Sequence, residues 1–112
     1  MKTGIELISE ERQDQIVKHG FTSKRDDSYT NLELQRAAVF AITGAREYYP
    51  EDWDLEWKVR IQAKSEIGRL IVAGALIAAE IDRLQREKME YVVNLKKCWC
   101  VKIYYWCRRP LN

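Results

Sequence analysis

The sequence contains no long apolar run, no excess of charge of one sign, a single histidine, and no cysteine before residue 98. Each absence removes a class of protein. The longest apolar run, Leu70 to Ala79, is about half the ~20 residues that a helical bilayer span requires. At the amino end, MKTGIELISEERQ carries charges where a secretory signal needs its apolar stretch, which argues against secretion. The three cysteines, Cys98, Cys100 and Cys107, are odd in number and confined to the last fifteen residues. Such a set makes no disulfide framework and reads as reduced thiols of a cytoplasmic protein. The C-x-C spacing also lacks a nearby fourth ligand for zinc. Nineteen basic and 17 acidic residues leave a formal net charge of +2, too even for charge alone to make nucleic acid the expected partner. Only Lys96, Lys97, Lys102, Arg108 and Arg109, near the C-terminus, stand without acidic neighbours.

What remains is a globular chain. With 112 residues, 46% hydrophobic and 32% charged, it is long enough for one core and too short for two. The expected fold class is all-α: a bundle of about four helices forming one domain over 1–112, with a basic, aromatic tail over 88–112. The pattern predicts a first helix from about Ile5 to Lys18, ended by Gly20 with Phe21 as its apolar contact. Thr22 to Thr30 is polar and reads as an ordered loop. Thr30-Asn31-Leu32-Glu33 has the spacing of a capping box, so a second helix is expected to about Ala45, with Leu34, Ala37, Ala38 and Ala41 on one stripe. Tyr48-Tyr49-Pro50 predicts a turn. Asp52 is the expected cap of a short third helix carrying Trp53, Trp57 and Ile61. Ser65-Glu66 opens the fourth and longest helix, reaching at least Arg86. Its middle, LIVAGALIAA, is apolar all round and predicts a central helix covered on several sides, by other helices or by a neighbouring subunit. Gly74, Ala75, Ala78 and Ala79 give that helix a smooth surface for close approach. The tail segment CWCVKIYYWC suits a strand, an edge or a helix extension equally well.

Few residues stand out chemically. Arg12 falls within the stripe of Ile5, Ile8 and Ile16, where a guanidinium needs a partner or a ligand. Asp82 lies on the small-residue side of the long helix. The two are expected to pair with each other inside the bundle, with a snorkelling Arg12 as the alternative, or else to face a pocket. The acids Glu11, Asp26, Asp27, Glu33, Glu80 and Asp82 raise the question of a magnesium site. All-helical nucleotide pyrophosphohydrolases place such carboxylates at ExxE spacing, on one face of a helix. Here Glu10 and Glu11 are adjacent, and Glu80 and Asp82 are two apart, so neither pair shares a face. No metal ligand, cofactor or catalytic residue is therefore assigned. His19, one residue before the helix-ending Gly20, suits the carboxyl end of a helix as a cation. Tyr48, Tyr49, Trp53 and Trp57 form a candidate ligand wall, although the same rings can fill the core.

The run GIELISEERQDQIVKHGFT, then Asp26-Asp27, NLELQRAAVFAI and VAGALIAAEIDRL, resembles a family of small helical proteins of bacteriophages and prophages. The similarity covers about Ile5 to Leu84. It implies a setting in the cytoplasm of an infected bacterium and a role in countering host defence. One strategy open to such proteins is to sequester a nucleotide-derived immune signal as a homo-oligomer without cleaving it. Arg12, Arg69 and Arg83 would then hold phosphates, and His19, Asp82 and the aromatic cluster would complete the site around a stacked base. A divergent nucleotide pyrophosphohydrolase and a protein that inhibits a host factor by direct contact are the alternatives. None of the three readings involves a membrane.

Overall fold

The first helix owes its ends to two local devices. Thr3 caps it in a reciprocal capping box, its Oγ1 accepting from the Glu6 amide at 3.2 Å while Glu6 Oε1 accepts from the Thr3 amide at 3.3 Å. At the other end Gly20 adopts φ 74°, a left-handed conformation that glycine takes without strain. The amides of Gly20 and Phe21 both return to the Gln15 carbonyl. This closure turns Phe21 inward, where it is buried. The computed structural model describes residues 1–97. In that span α1 is Gly4–His19, α2 Ser23–Asp26, α3 Glu33–Thr43, α4 Leu55–Ala63 and α5 Glu66–Lys97, with a 3-10 turn at Arg46–Tyr48 between α3 and α4. The fold is all-α with a long C-terminal helix, and no strand occurs among the described residues. No described helix is long and apolar enough to cross a membrane. The readings of CWCVKIYYWC lie outside the described residues.

Three local expectations are corrected. The stretch from Thr22 to Thr30 is not all loop, because Thr22 accepts from the Arg25 amide and nucleates α2. The capping box at Thr30 does not form. Glu33 instead accepts from the Asn31 amide, and α3 begins behind Leu32, a non-glycine residue at φ 64°. The cap of α4 is Asp54 rather than Asp52, its Oδ1 accepting from the Glu56 amide at 2.9 Å. Trp53 thus precedes the helix instead of riding on it.

Two compact units divide the chain, Met1–Ile81 and Asp82–Asn112. The core of the first joins Phe21, the α3 stripe of Leu34, Ala37, Ala38 and Ala41, then Phe40, Tyr49, Trp53, Ile61, and Val72, Ala73, Leu76 and Ala79 of α5. Alanines on α3 and α5 allow close packing, and the aromatic rings supply the volume. Gly74 has a similar role: a Cβ there would come within 2.6 Å of Ile8 Cδ1, so α1 crosses α5 at a position that admits no side chain. Of the second unit, the described part is the continuation of α5. There Arg83 is buried and pairs with Glu87 at 2.8 Å.

Candidate functional site

The α1–α2 junction and the start of α4 enclose a cleft of about 270 Å³, lined by Lys18, His19, Phe21, Arg25, Trp53, Asp54, Glu56, Trp57 and Arg60. Its floor is aromatic. Phe21 lies 5.2 Å from Trp57 and 5.3 Å from Trp53, the two indoles are 5.4 Å apart, and His19 is 6.4 Å from Trp57 between ring centroids. Trp57 is half-buried, so one part of its ring is fixed by packing while another faces the cleft. Behind this floor Tyr49 packs on Phe40 at 5.0 Å, and its hydroxyl donates to the Asp54 carbonyl. Burial pushes the Tyr49 hydroxyl up to about 12. Tyr49 is therefore a neutral donor that anchors the α4 cap.

Cations form the rim. The Arg25 guanidinium stacks 5.1 Å above the Phe21 ring, donates from Nη1 to the His19 carbonyl at 3.1 Å, and donates from Nε to the Tyr29 hydroxyl at 2.9 Å. These contacts fix its position without neutralising it, and among the described residues no carboxylate pairs with it. Lys18 reaches Asp14 only at 3.6 Å on an open surface, a contact of small energetic value. Arg60 pairs with Glu56 at 2.7 Å. Of the two acids in the cleft, Asp54 is committed to the α4 cap and Glu56 to Arg60. A fixed guanidinium beside a half-buried aromatic ring suits a flat anionic molecule: the ring stacks while the cation binds phosphate or carboxylate oxygens.

The structure separates the residues singled out from sequence. His19, Trp53 and Trp57 meet in the cleft. Tyr49 supports it from the core, while Tyr48 is exposed on the 3-10 turn and does not line it. Arg12 has a structural assignment: its Nη2 pairs with Asp26 Oδ2 at 2.9 Å, and its Nη1 donates to the Phe21 carbonyl at 3.3 Å. Asp26 is fully buried, and it rather than Asp82, the pairing option read from sequence, is the partner of Arg12. Arg69 is half-buried with its Nη1 close to Gly44. Asp82 and Arg83 belong to the second unit. Among the described residues no group of three or more His, Cys, Asp or Glu side chains is arranged to hold a metal ion.

Sequence reasoning missed Arg25, Lys18, Arg60 and Phe21. A signal for two of them was present. Arg60 lies three residues after Trp57, on the same side of a helix, and Phe21 follows the glycine that must reverse the chain. Arg25 gave no signal, because only the short α2 brings it back over Phe21. Comparison with protein-family models, curated proteins and solved structures gives no match to this chain.

Proposed function

We propose that this protein captures a nucleotide-type ligand in the cleft between the α1–α2 junction and α4, and holds it without cleaving it. The observation that carries the reading is the placement of Arg25. It is fixed by two hydrogen bonds and a ring face, has no carboxylate partner among the described residues, and lines the same cleft as the half-buried Trp57. The base stacks on Trp57 with His19 at its edge, and the phosphates engage Arg25, Lys18 and Arg60. Capture is favoured over hydrolysis because both cleft acids already have structural partners. The biological setting rests on the resemblance of Ile5 to Leu84 to phage proteins. In that setting the ligand is a nucleotide-derived signal of host immunity, removed in the cytoplasm of the infected cell by a homo-oligomeric phage protein.

The test is retention followed by release. The protein is mixed with nucleoside triphosphates, cyclic dinucleotides and cyclic ADP-ribose-type compounds, with and without magnesium, then filtered and heat-denatured. The expected result is one compound that disappears from the filtrate and returns intact from the denatured protein, with retention lost in Trp57→Ala and Arg25→Gln. A magnesium-dependent product would overturn capture in favour of hydrolysis. Retention of none of these compounds would remove the nucleotide reading.

A further inference from the structure

Trp53 also borders a second cleft, of about 260 Å³, whose lining includes Tyr29, Asn31, Glu33, Arg36, Glu51 and Asp52. Its wall is aromatic like that of the first, with the Tyr29 and Trp53 rings 5.1 Å apart. Its charge is of the opposite sign, three carboxylates against one guanidinium. Arg36 is half-buried, and among the described residues its one hydrogen bond runs from Nη2 to the Glu47 carbonyl at 3.2 Å. Glu33 accepts from the Asn31 amide. Glu51 and Asp52 are exposed and, among the described residues, pair with no cation. The wall adds an unmet donor, because Nε1 of the buried Trp53 has no hydrogen-bonding partner among the described residues. Excess carboxylate makes this cleft a poor place for a phosphate, and the unneutralised Arg36 makes it a poor one for a bare cation. A neutral group that donates and accepts at adjacent atoms suits it better. A sugar diol does both: its hydroxyls donate to carboxylates and accept from a guanidinium or an indole, while the apolar face of the ring packs on an aromatic side chain.

Tyr29 ties this cleft to the first. It lines the second cleft, while its hydroxyl accepts from Nε of Arg25, the cation of the first, at 2.9 Å. A phosphate held by Arg25 is therefore one side chain away from the second cleft, and a group esterified to that phosphate reaches it by crossing Tyr29 or Trp53. We propose that the second cleft receives a sugar carried on the phosphates of the captured nucleotide. The ligand class is then a nucleotide joined through its phosphates to a second sugar, rather than a simple nucleoside triphosphate. The two clefts divide the work by charge: the cationic one takes the phosphates, and the acidic one takes the diol. A terminal phosphate directed to the same place would instead meet Glu51 and Asp52, at a cost in like-charge repulsion. The proposal rests on the capture reading above and narrows what is captured.

The decisive measurement is calorimetric titration of the full chain with two probes, ADP-ribose and ADP methylated on its β-phosphate. The two carry the same charge and differ in the second sugar. The expected result is that the parent binds ADP-ribose about tenfold or more tightly than the methyl ester. In Glu51→Ala/Asp52→Ala the two probes should bind alike, with the methyl ester held no more weakly than by the parent, because both side chains are exposed and lie outside the first cleft. Trp57→Ala should weaken both probes by the same factor. Equal binding of the two probes by the parent overturns the second cleft and leaves capture in place. A preference for ADP-ribose that survives in Glu51→Ala/Asp52→Ala overturns it as well. Binding of neither probe also overturns it, and the retention test above then decides separately whether capture stands.

Discussion

Phe21 divides two regions that handle positive charge in opposite ways. Behind it, Arg12 bonds the Phe21 carbonyl and the fully buried Asp26. In front of it, Arg25 lies over the ring and, among the described residues, its partners are neutral oxygens, the His19 carbonyl and the Tyr29 hydroxyl. Both arginines come from the same stretch of chain and touch the same residue. The inner one is neutralised by the protein and ties α1 to α2. The outer one is positioned and left electrostatically unsatisfied, at the edge of an aromatic floor. A guanidinium with a buried carboxylate partner contributes to the fold, whereas one held only by neutral acceptors keeps its affinity for an anion.

The largest expected effect sets the two arginines against each other. Asp26→Asn, or Arg12→Gln, should lower unfolding free energy by about 3–5 kcal/mol, because either leaves an uncompensated charge or an unmet polar group behind Phe21. Arg25→Gln should cost about 1 kcal/mol or less, since that side chain is exposed. Equal losses in urea titrations of the two variants would erase the distinction. Next in size, Trp57→Ala should weaken nucleotide binding by about 1–3 kcal/mol, the usual worth of one stacked base. Calorimetry would read that change, and unaltered affinity would move the stacking surface away from the cleft.

A third experiment sharpens the inner half. Gln15 is fully buried on the core side of α1, and among the described residues neither its Oε1 nor its Nε2 meets a hydrogen-bonding partner. Removing both polar atoms in Gln15→Met should stabilise the protein by about 1 kcal/mol, visible as a higher melting temperature. A loss would mean that the amide contributes to packing around the Arg12–Asp26 pair. The smallest effect concerns Glu11, whose carboxyl burial pushes above its ordinary value near 4.5, partly offset by Lys64. The folded state therefore holds the Glu11 proton more tightly than the unfolded chain does. Its charge destabilises the fold increasingly as pH rises from that ordinary value through the raised one. Glu11→Gln should stabilise the protein slightly at neutral pH, and the gain should fade as pH falls to the ordinary carboxylate range. A gain that grew toward low pH would reverse the assigned sign.

Some of this was legible in the residues alone. Gly20 and Gly44 end α1 and α3 because both take positive φ, and Leu34, Ala37, Ala38 and Ala41 line the inner side of α3 as their spacing requires. The start of α3 was less readable. Thr30 and Glu33 have the right separation for a capping box, but Leu32 enters the left-handed region and the helix begins one residue after it. The candidate site was half legible. Aromatic residue type pointed to Trp53 and Trp57, and position to His19, but no periodicity on α1 announces that the cations lining the cleft are Lys18 and the distant Arg25.

What the sequence by itself determined is the set of helices and most of their ends, because capping, glycine conformation and helical periodicity act over four residues or fewer. Only the tertiary structure decided which charges meet. Arg12 finds Asp26 because the turn at Gly20 and the single turn of α2 fold that carboxylate back under Phe21, a geometry that no spacing encodes. The same holds for α5. Its middle, Leu70 to Ala79, is apolar on every side, and only the packing decided that Val72, Ala73, Ala75, Leu76 and Ala79 are buried while Leu70 and Ile77 stay exposed.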